Sequence, residues 1–139
     1  MDKLTVIRKA EELGGNERRS ALERLMIEAR KLGCEPEVGG GRVGGINFRF
    51  GSLRLAVMDI NVKGEVKLYV QPHPNKAAPA ELSERLNQYI KDCEGINIKT
   101  FPLSCYGHVE GPVETLPDAS LSGYLNEAVQ LIKQTYYRS

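Results

Sequence analysis

The chain has 139 residues, 41% of them hydrophobic and 27% charged. That is ordinary globular composition at the size of one domain, which excludes a disordered chain and leaves enough length to bury one real core. A formal net charge of +1 excludes a general field that would draw in nucleic acid or an anionic membrane, so any such binding needs a local patch.

Leu4, Ile7, Ala10 and Leu13 recur at helical spacing, and Gly14-Gly15 stops that helix. Asn16 serves as N-cap of a second helix. Its apolar stripe is Ala21, Leu22, Leu25, Met26, Ala29 and Leu32, and Gly33 is its C-cap. Residues 35–45, EPEVGGGRVGG, are too glycine-rich for a firm element. From Ile46 the pattern alternates: Ile46, Phe48 and Phe50 point one way, Asn47 and Arg49 the other. Gly51-Ser52 reads as a two-residue hairpin turn, residues 53–60 as a second strand, 61–64 as another turn and 65–70 as a third strand. The result is a three-stranded antiparallel meander.

A proline-bearing loop over 71–79 leads to a helix over 80–94, with Leu82, Leu86, Tyr89, Ile90 and Cys93 inward and Gly95 at its end. Residues 96–103 read as a short strand, held to an edge or cut short by Pro102. Residues 106–116 read as loop or irregular strand. Asp118 then opens a closing helix as its N-cap, with Leu121, Tyr124, Leu125, Ala128, Leu131, Ile132 and Tyr136 on the core face. The expected fold class is α+β in a single domain, 1–139: two N-terminal helices, the meander, a helix, a short further strand or loop, and a C-terminal helix.

The expected register makes one sheet face chemically interesting. With Gly51-Ser52 as the first turn, Arg49 stands opposite Arg54; with 61–64 as the second, Met58 faces Lys67 and Ala56 faces Tyr69. One face then carries Asn47, Arg49, Arg54, Lys67, Tyr69 and Gln71. Directly opposed arginines repel, and an anion lying over them relieves the cost. A nucleic-acid backbone on Arg49, Arg54 and Lys67, with a base stacked on Tyr69, is one such occupant. A solvated face, or one covered by glutamates from a helix, is the plainer reading of the same residues.

Other patterns carry less. Gly39, Gly41 and Gly44 match G-x-G-x-x-G, but a strand follows where a dinucleotide site needs a helix N-terminus, so they read as a flexible loop. Asp59 with Glu65-Val66-Lys67 has the composition of a metal-dependent nuclease site. In the expected register Asp59 pairs with Val66, and the two carboxylates diverge. Cys105 and His108 are spaced C-x-x-H. A thiolate with a neighbouring base would make a nucleophile, but zinc wants four ligands and no second close pair exists; a structural cysteine beside a loop histidine is the plainer account. No metal and no cofactor are expected. Three irregularly spaced cysteines, Cys34, Cys93 and Cys105, make a poor disulfide framework. With an N-terminus that has no apolar run, they point to a cytoplasmic location, and no stretch reaches the ~20 apolar residues that span a bilayer.

From Tyr106 onward the chain resembles a small uncharacterised bacterial domain, found alone or appended to restriction-type nucleases and to proteins labelled predicted transport proteins. The likeness rests on Gly107-His108, Gly111, Val113-Glu114 and the closing run Leu131-Ile132-Lys133-Gln134-Thr135-Tyr136. Phe48, Leu53, Leu55 and Lys67-Leu68-Tyr69 are compatible with the family's paired strands, whereas Val109-Glu110 departs from its aromatic and small polar pair. The resemblance implies a compact helix-plus-sheet module near nucleic-acid-processing enzymes, and it brings no catalytic residues. The leading expectation is therefore a non-enzymatic binding module, associated with nucleic acid through Arg49, Arg54, Lys67 and Tyr69. A protein–protein or oligomerisation module is the alternative, and an enzyme using Cys105 and His108 stands third.

Overall fold

The computed structural model describes residues 2–39, 41–73, 75–100 and 105–137. Helix α1 (Lys3–Lys31) opens the chain, and the Asp2 carboxylate caps it by accepting the Thr5 amide at 2.8 Å. The two helices expected here form one element of 29 residues that is kinked and not ended. At Gly15 the backbone takes φ 78° and ψ −176°, a conformation that a residue without Cβ enters at no steric cost. The buried stripe runs through the kink from Val6 and Ala10 to Ala21, Leu22, Leu25, Met26 and Ala29. Of the four residues expected in its first part, Ala10 is buried and Ile7 half-buried, whereas Leu4 and Leu13 are exposed, because the face turned to the core is the one that carries Val6. Leu32 takes the C-cap position expected for Gly33, and Gly33, one residue beyond at φ 88°, donates its amide to the Arg30 carbonyl at 3.1 Å.

An antiparallel sheet of six strands follows among the described residues: β1 (Cys34–Val38), β2 (Gly45–Phe50), β3 (Leu55–Asn61), β4 (Val66–Tyr69), β5 (Ile98–Thr100) and β6 (Tyr106–Val109), in the order β1-β2-β3-β4-β6-β5. Helix α2 (Ala80–Asp92) lies between β4 and β5 in sequence. A short 3-10 turn (Val113–Thr115) and helix α3 (Asp118–Tyr136) complete the chain. Asp118 falls in the first turn of α3, and Pro117 takes the N-cap position expected for it. No described helix is long and apolar enough to cross a membrane.

The meander is extended at both sides. The glycine-rich segment expected to be irregular begins with β1, in which buried Cys34 and Pro36 alternate with Glu35 and Glu37. Pro36 is tolerated because β1 is an edge strand. The Gly39 amide bonds the Gly45 carbonyl at 2.9 Å, and the two-residue alternation of an antiparallel ladder turns the Pro36 nitrogen outward. At the other side, residues 106–109 form β6 and insert between β4 and β5, where a loop or irregular strand was expected. Phe101, Pro102 and Leu103 of the expected strand over 96–103 lie outside the described residues.

Two turns reset the register. The β2–β3 connection takes four residues, 51–54, with Arg54 at φ 52°. Arg49 therefore pairs with Ala56 and not with Arg54. The β3–β4 turn is one residue shorter than expected. The Asn61 amide donates to the Glu65 carbonyl at 3.1 Å, and the Asn61 side chain accepts the Lys63 and Glu65 amides at 3.0 Å each. Gly64, at φ 84°, closes this three-residue loop in the left-handed conformation such loops require. Met58 consequently opposes Leu68, and Asp59 opposes Lys67; the expected pairs Met58–Lys67, Ala56–Tyr69 and Asp59–Val66 do not form.

All three helices pack on one sheet face. Ile46, Phe48, Met58, Ile60, Val66 and Leu68 point into a single core with Leu22 and Leu25 of α1, Leu86 and Ile90 of α2, and Tyr124, Leu125 and Ile132 of α3. Tyr124, the largest fully buried side chain, donates its hydroxyl to the Tyr69 carbonyl.

Candidate interaction face

Residues directly opposite one another share a face, so the register assembles the outer face strand by strand. One row runs Glu37, Asn47, Asp59, Lys67, His108 from β1 to β6. Beside it, Glu35, Arg49 and Ala56 align across β1 to β3, and Tyr69 and Tyr106 across β4 and β6. The rings and charges at the middle of this face bind one another.

Asp59 is the centre. Its Oδ1 accepts from Arg49 Nη1 at 3.1 Å and its Oδ2 from the Tyr69 hydroxyl at 2.6 Å. The Asn47 amide, turned with its nitrogen toward Asp59, donates to Oδ1 at 3.1 Å and accepts from Arg49 Nη2 at 3.1 Å. The Arg49 and Asp59 side chains are only 20% and 17% exposed, so water screens this pair less than an ordinary surface bridge. Burial pushes the Tyr69 phenol well above its usual range and the hydrogen bond to Asp59 pushes it further, so Tyr69 remains a proton donor.

The rings form a continuous strip. Tyr69 and Tyr106 lie 5.3 Å apart between centroids, and His108 meets Tyr106 edge-on at 5.2 Å. Arg49 stands over the Tyr69 ring at 5.7 Å and Lys67 over the Tyr106 ring at 4.6 Å. Although Asp59 is directly opposite Lys67, Lys67 makes no ion pair among the described residues.

The face is therefore not the basic surface expected. Arg49 and Arg54 do not oppose each other, and each has a carboxylate: Arg49 pairs with Asp59, and Arg54 reaches from its turn to Glu37 in a two-pronged bridge. Of the six residues assigned to this face, Asn47, Arg49, Lys67 and Tyr69 occupy it from the strands, and Arg54 reaches it from the turn through Glu37, beside Arg49 and Tyr69. Gln71 bonds the Ser83 hydroxyl at 3.1 Å and the Ala78 amide at 2.5 Å. Tyr106 was missed, and the period-two pair Tyr106-x-His108 was its only signal.

The acid–acid–lysine set comes together where divergence was expected, because the corrected register turns Asp59, Glu65 and Lys67 to the same face. Both carboxylates are already engaged, Asp59 as described and Glu65 by Asn61 Nδ2 at 2.9 Å. That hydrogen bond, with nearby lysines, holds Glu65 below the usual carboxylate range. Among the described residues no three His, Cys, Asp or Glu side chains form a metal-binding group. A strand follows the glycine loop, as expected, but β1 also precedes it, and the loop borders a recess with Asn47, Asp59 and Lys67. Cys105 and His108 do not make a pair. Cys105 is exposed at the entry to β6, where its carbonyl accepts the Val70 and Gln71 amides at 2.8 and 3.1 Å. His108 lies three residues on, about 10 Å along an extended strand, against Tyr106.

Compared with known proteins, the chain matches no protein-family model, no curated protein and no solved structure.

Proposed function

We propose that the domain is a non-enzymatic binding module that takes a protein partner on its outer sheet face. The observation that carries this reading is the composition and internal pairing of that face. Tyrosine and arginine dominate the energetics of protein interfaces, and here Tyr69, Tyr106 and Arg49 sit side by side. Because Asp59 already neutralises Arg49, covering the face does not strand that guanidinium, which is the costly outcome of burying ions, and Lys67 is the cation that a partner has to meet. The test is a photo-cross-linker at the face, Tyr106→p-benzoylphenylalanine, with Gln130 on the exposed side of α3 as the control position. Discrete protein adducts from position 106 and none from 130 are expected. Equal adducts from both positions, or none, would remove the reading.

A nucleic-acid partner is the second reading, and the ring strip favours it. Tyr69, Tyr106 and His108 with Lys67 alongside offer stacking surfaces and a cation, as single strands require. Against it stand Glu37, Asp59 and Glu65, which share the face and repel phosphate. Fluorescence anisotropy with single-stranded oligonucleotides decides the matter: binding whose salt slope falls in Lys67→Glu supports this reading, and no binding at low salt ends it.

A further inference from the structure

The outer face is complementary to itself, and we propose that its protein partner is a second copy of this chain. This rests on the protein-binding reading above and names the partner. In the strand order β1-β2-β3-β4-β6-β5 the midline falls between β3 and β4. A two-fold axis parallel to the strands over that midline preserves height along the strands and exchanges the two halves. It lays β3 over β4 of the second copy and β2 over β6.

The register then fixes which residues meet. Asp59 lies over Lys67 of the second copy, and the reciprocal pair forms beside it. Arg49, which stands over the Tyr69 ring in its own chain, itself opposite Tyr106, comes to the Tyr106 ring of the second copy, and Asn47 lies over its His108. Every contact occurs twice, as an isologous interface demands. Each Lys67, which makes no ion pair among the described residues of its own chain, gains a carboxylate, and Asp59 can accept it, because a carboxylate offers about four lone-pair sites and among the described residues Arg49, Tyr69 and Asn47 use three of them. Packed sheets stand about 10 Å apart and are turned by about 30°, so pairs next to the axis are displaced least. The Asp59–Lys67 pair is therefore the diagnostic one.

The charge pattern gives a test by exchange. In sedimentation velocity across a concentration series, the wild type should pass from the mass of one chain to that of two. Lys67→Glu sets like charges against Asp59 of the second copy and should remain a single chain; Asp59→Lys should do the same against Lys67. Mixed in equal amounts, the two variants present opposite charges at both contacts and should recover the two-chain mass. Should a charge variant fail to fold, the cross-linker at position 106 decides, since it keeps both charges: its adduct must join two copies, with the attachment on β2. A wild type that keeps single-chain mass throughout, a Lys67→Glu variant that still doubles, or an attachment away from β2 overturns self-pairing. Single-chain mass together with a position-106 adduct to a different protein overturns self-pairing alone and leaves the protein-binding reading intact.

Discussion

Arg18 and Glu114, 96 residues apart, meet in a bidentate pair: Nε to Oε1 and Nη2 to Oε2, each at 3.0 Å. A third donor, Arg18 Nη1, reaches the Val62 carbonyl at 3.1 Å. The guanidinium fills the space left by two glycines, because a Cβ on Gly14 would fall 2.1 Å from its Nε and one on Gly64 2.9 Å away. One side chain thus ties the kinked part of α1 to the β3–β4 turn and the 3-10 turn.

Arg18→Met should cost about 3 kcal/mol of unfolding free energy, because removing one partner leaves Glu114 and the Val62 carbonyl shielded without a donor. The double variant Arg18→Met with Glu114→Leu should cost less than the single one. Urea unfolding of the single and double variants measures both, and a double variant less stable than Arg18→Met would contradict the account.

Acid should weaken this tie. Burial alone raises the Glu114 carboxyl, but the Arg18 hydrogen bond, a backbone amide and the Arg18 charge outweigh it and hold the group below the usual carboxylate range. A depressed folded value contributes stability that is present above the ordinary carboxylate range and lost as pH falls toward the folded one. Thermal unfolding of the wild type should therefore decline on acidification through that range. Glu114→Gln, already lacking the charge, should decline less steeply.

At the outer face, Asp59→Asn should lower the Tyr69 phenol value without returning it to normal. Burial is the first cause of its upward shift and remains in the variant, whereas the Asp59 charge is removed. NMR-detected titration of the tyrosine rings reads this directly. A Tyr69 value unmoved by Asp59→Asn would mean that the 2.6 Å bond is not made.

The cysteines should alkylate in order of exposure. Iodoacetamide should modify exposed Cys105 in the native protein and half-buried Cys93 more slowly. Cys34, whose thiol burial pushes up to about 12, should react only after unfolding. Mass spectrometry of timed digests gives the sequence, and early labelling of Cys34 would contradict its place in the core.

The helices were legible because their stripes are long: Leu82, Leu86 and Ile90, or Leu121, Leu125 and Ile132, repeat often enough to exclude other readings. The three central strands were legible from Ile46-x-Phe48-x-Phe50 and the runs that follow. What failed was register, which depends on turn geometry that a short motif underdetermines. Gly51-Ser52 resembled a two-residue turn, yet the chain continues through Arg54 before pairing. Asn61, read as merely part of a turn, ends β3 and binds the loop closed, moving Asp59 from opposite Val66 to opposite Lys67. The longer β2–β3 turn removed the repelling arginine pair, and the two shifts together built the Asp59-centred cluster. The edge strands were hidden for another reason: Cys34–Val38 runs into glycines, and Tyr106–Val109 is four residues long with Gly107 inside it.

The outward-turned nitrogen of Pro36 has a consequence for solubility at high concentration. An exposed sheet edge invites further strands, which is how chains polymerise into fibrils. On the β1 side the missing donor interrupts the ladder that an added strand would need. Copies that meet face to face across a two-fold axis stop at two, and the proline discourages such pairs from lengthening sideways into filaments from that edge.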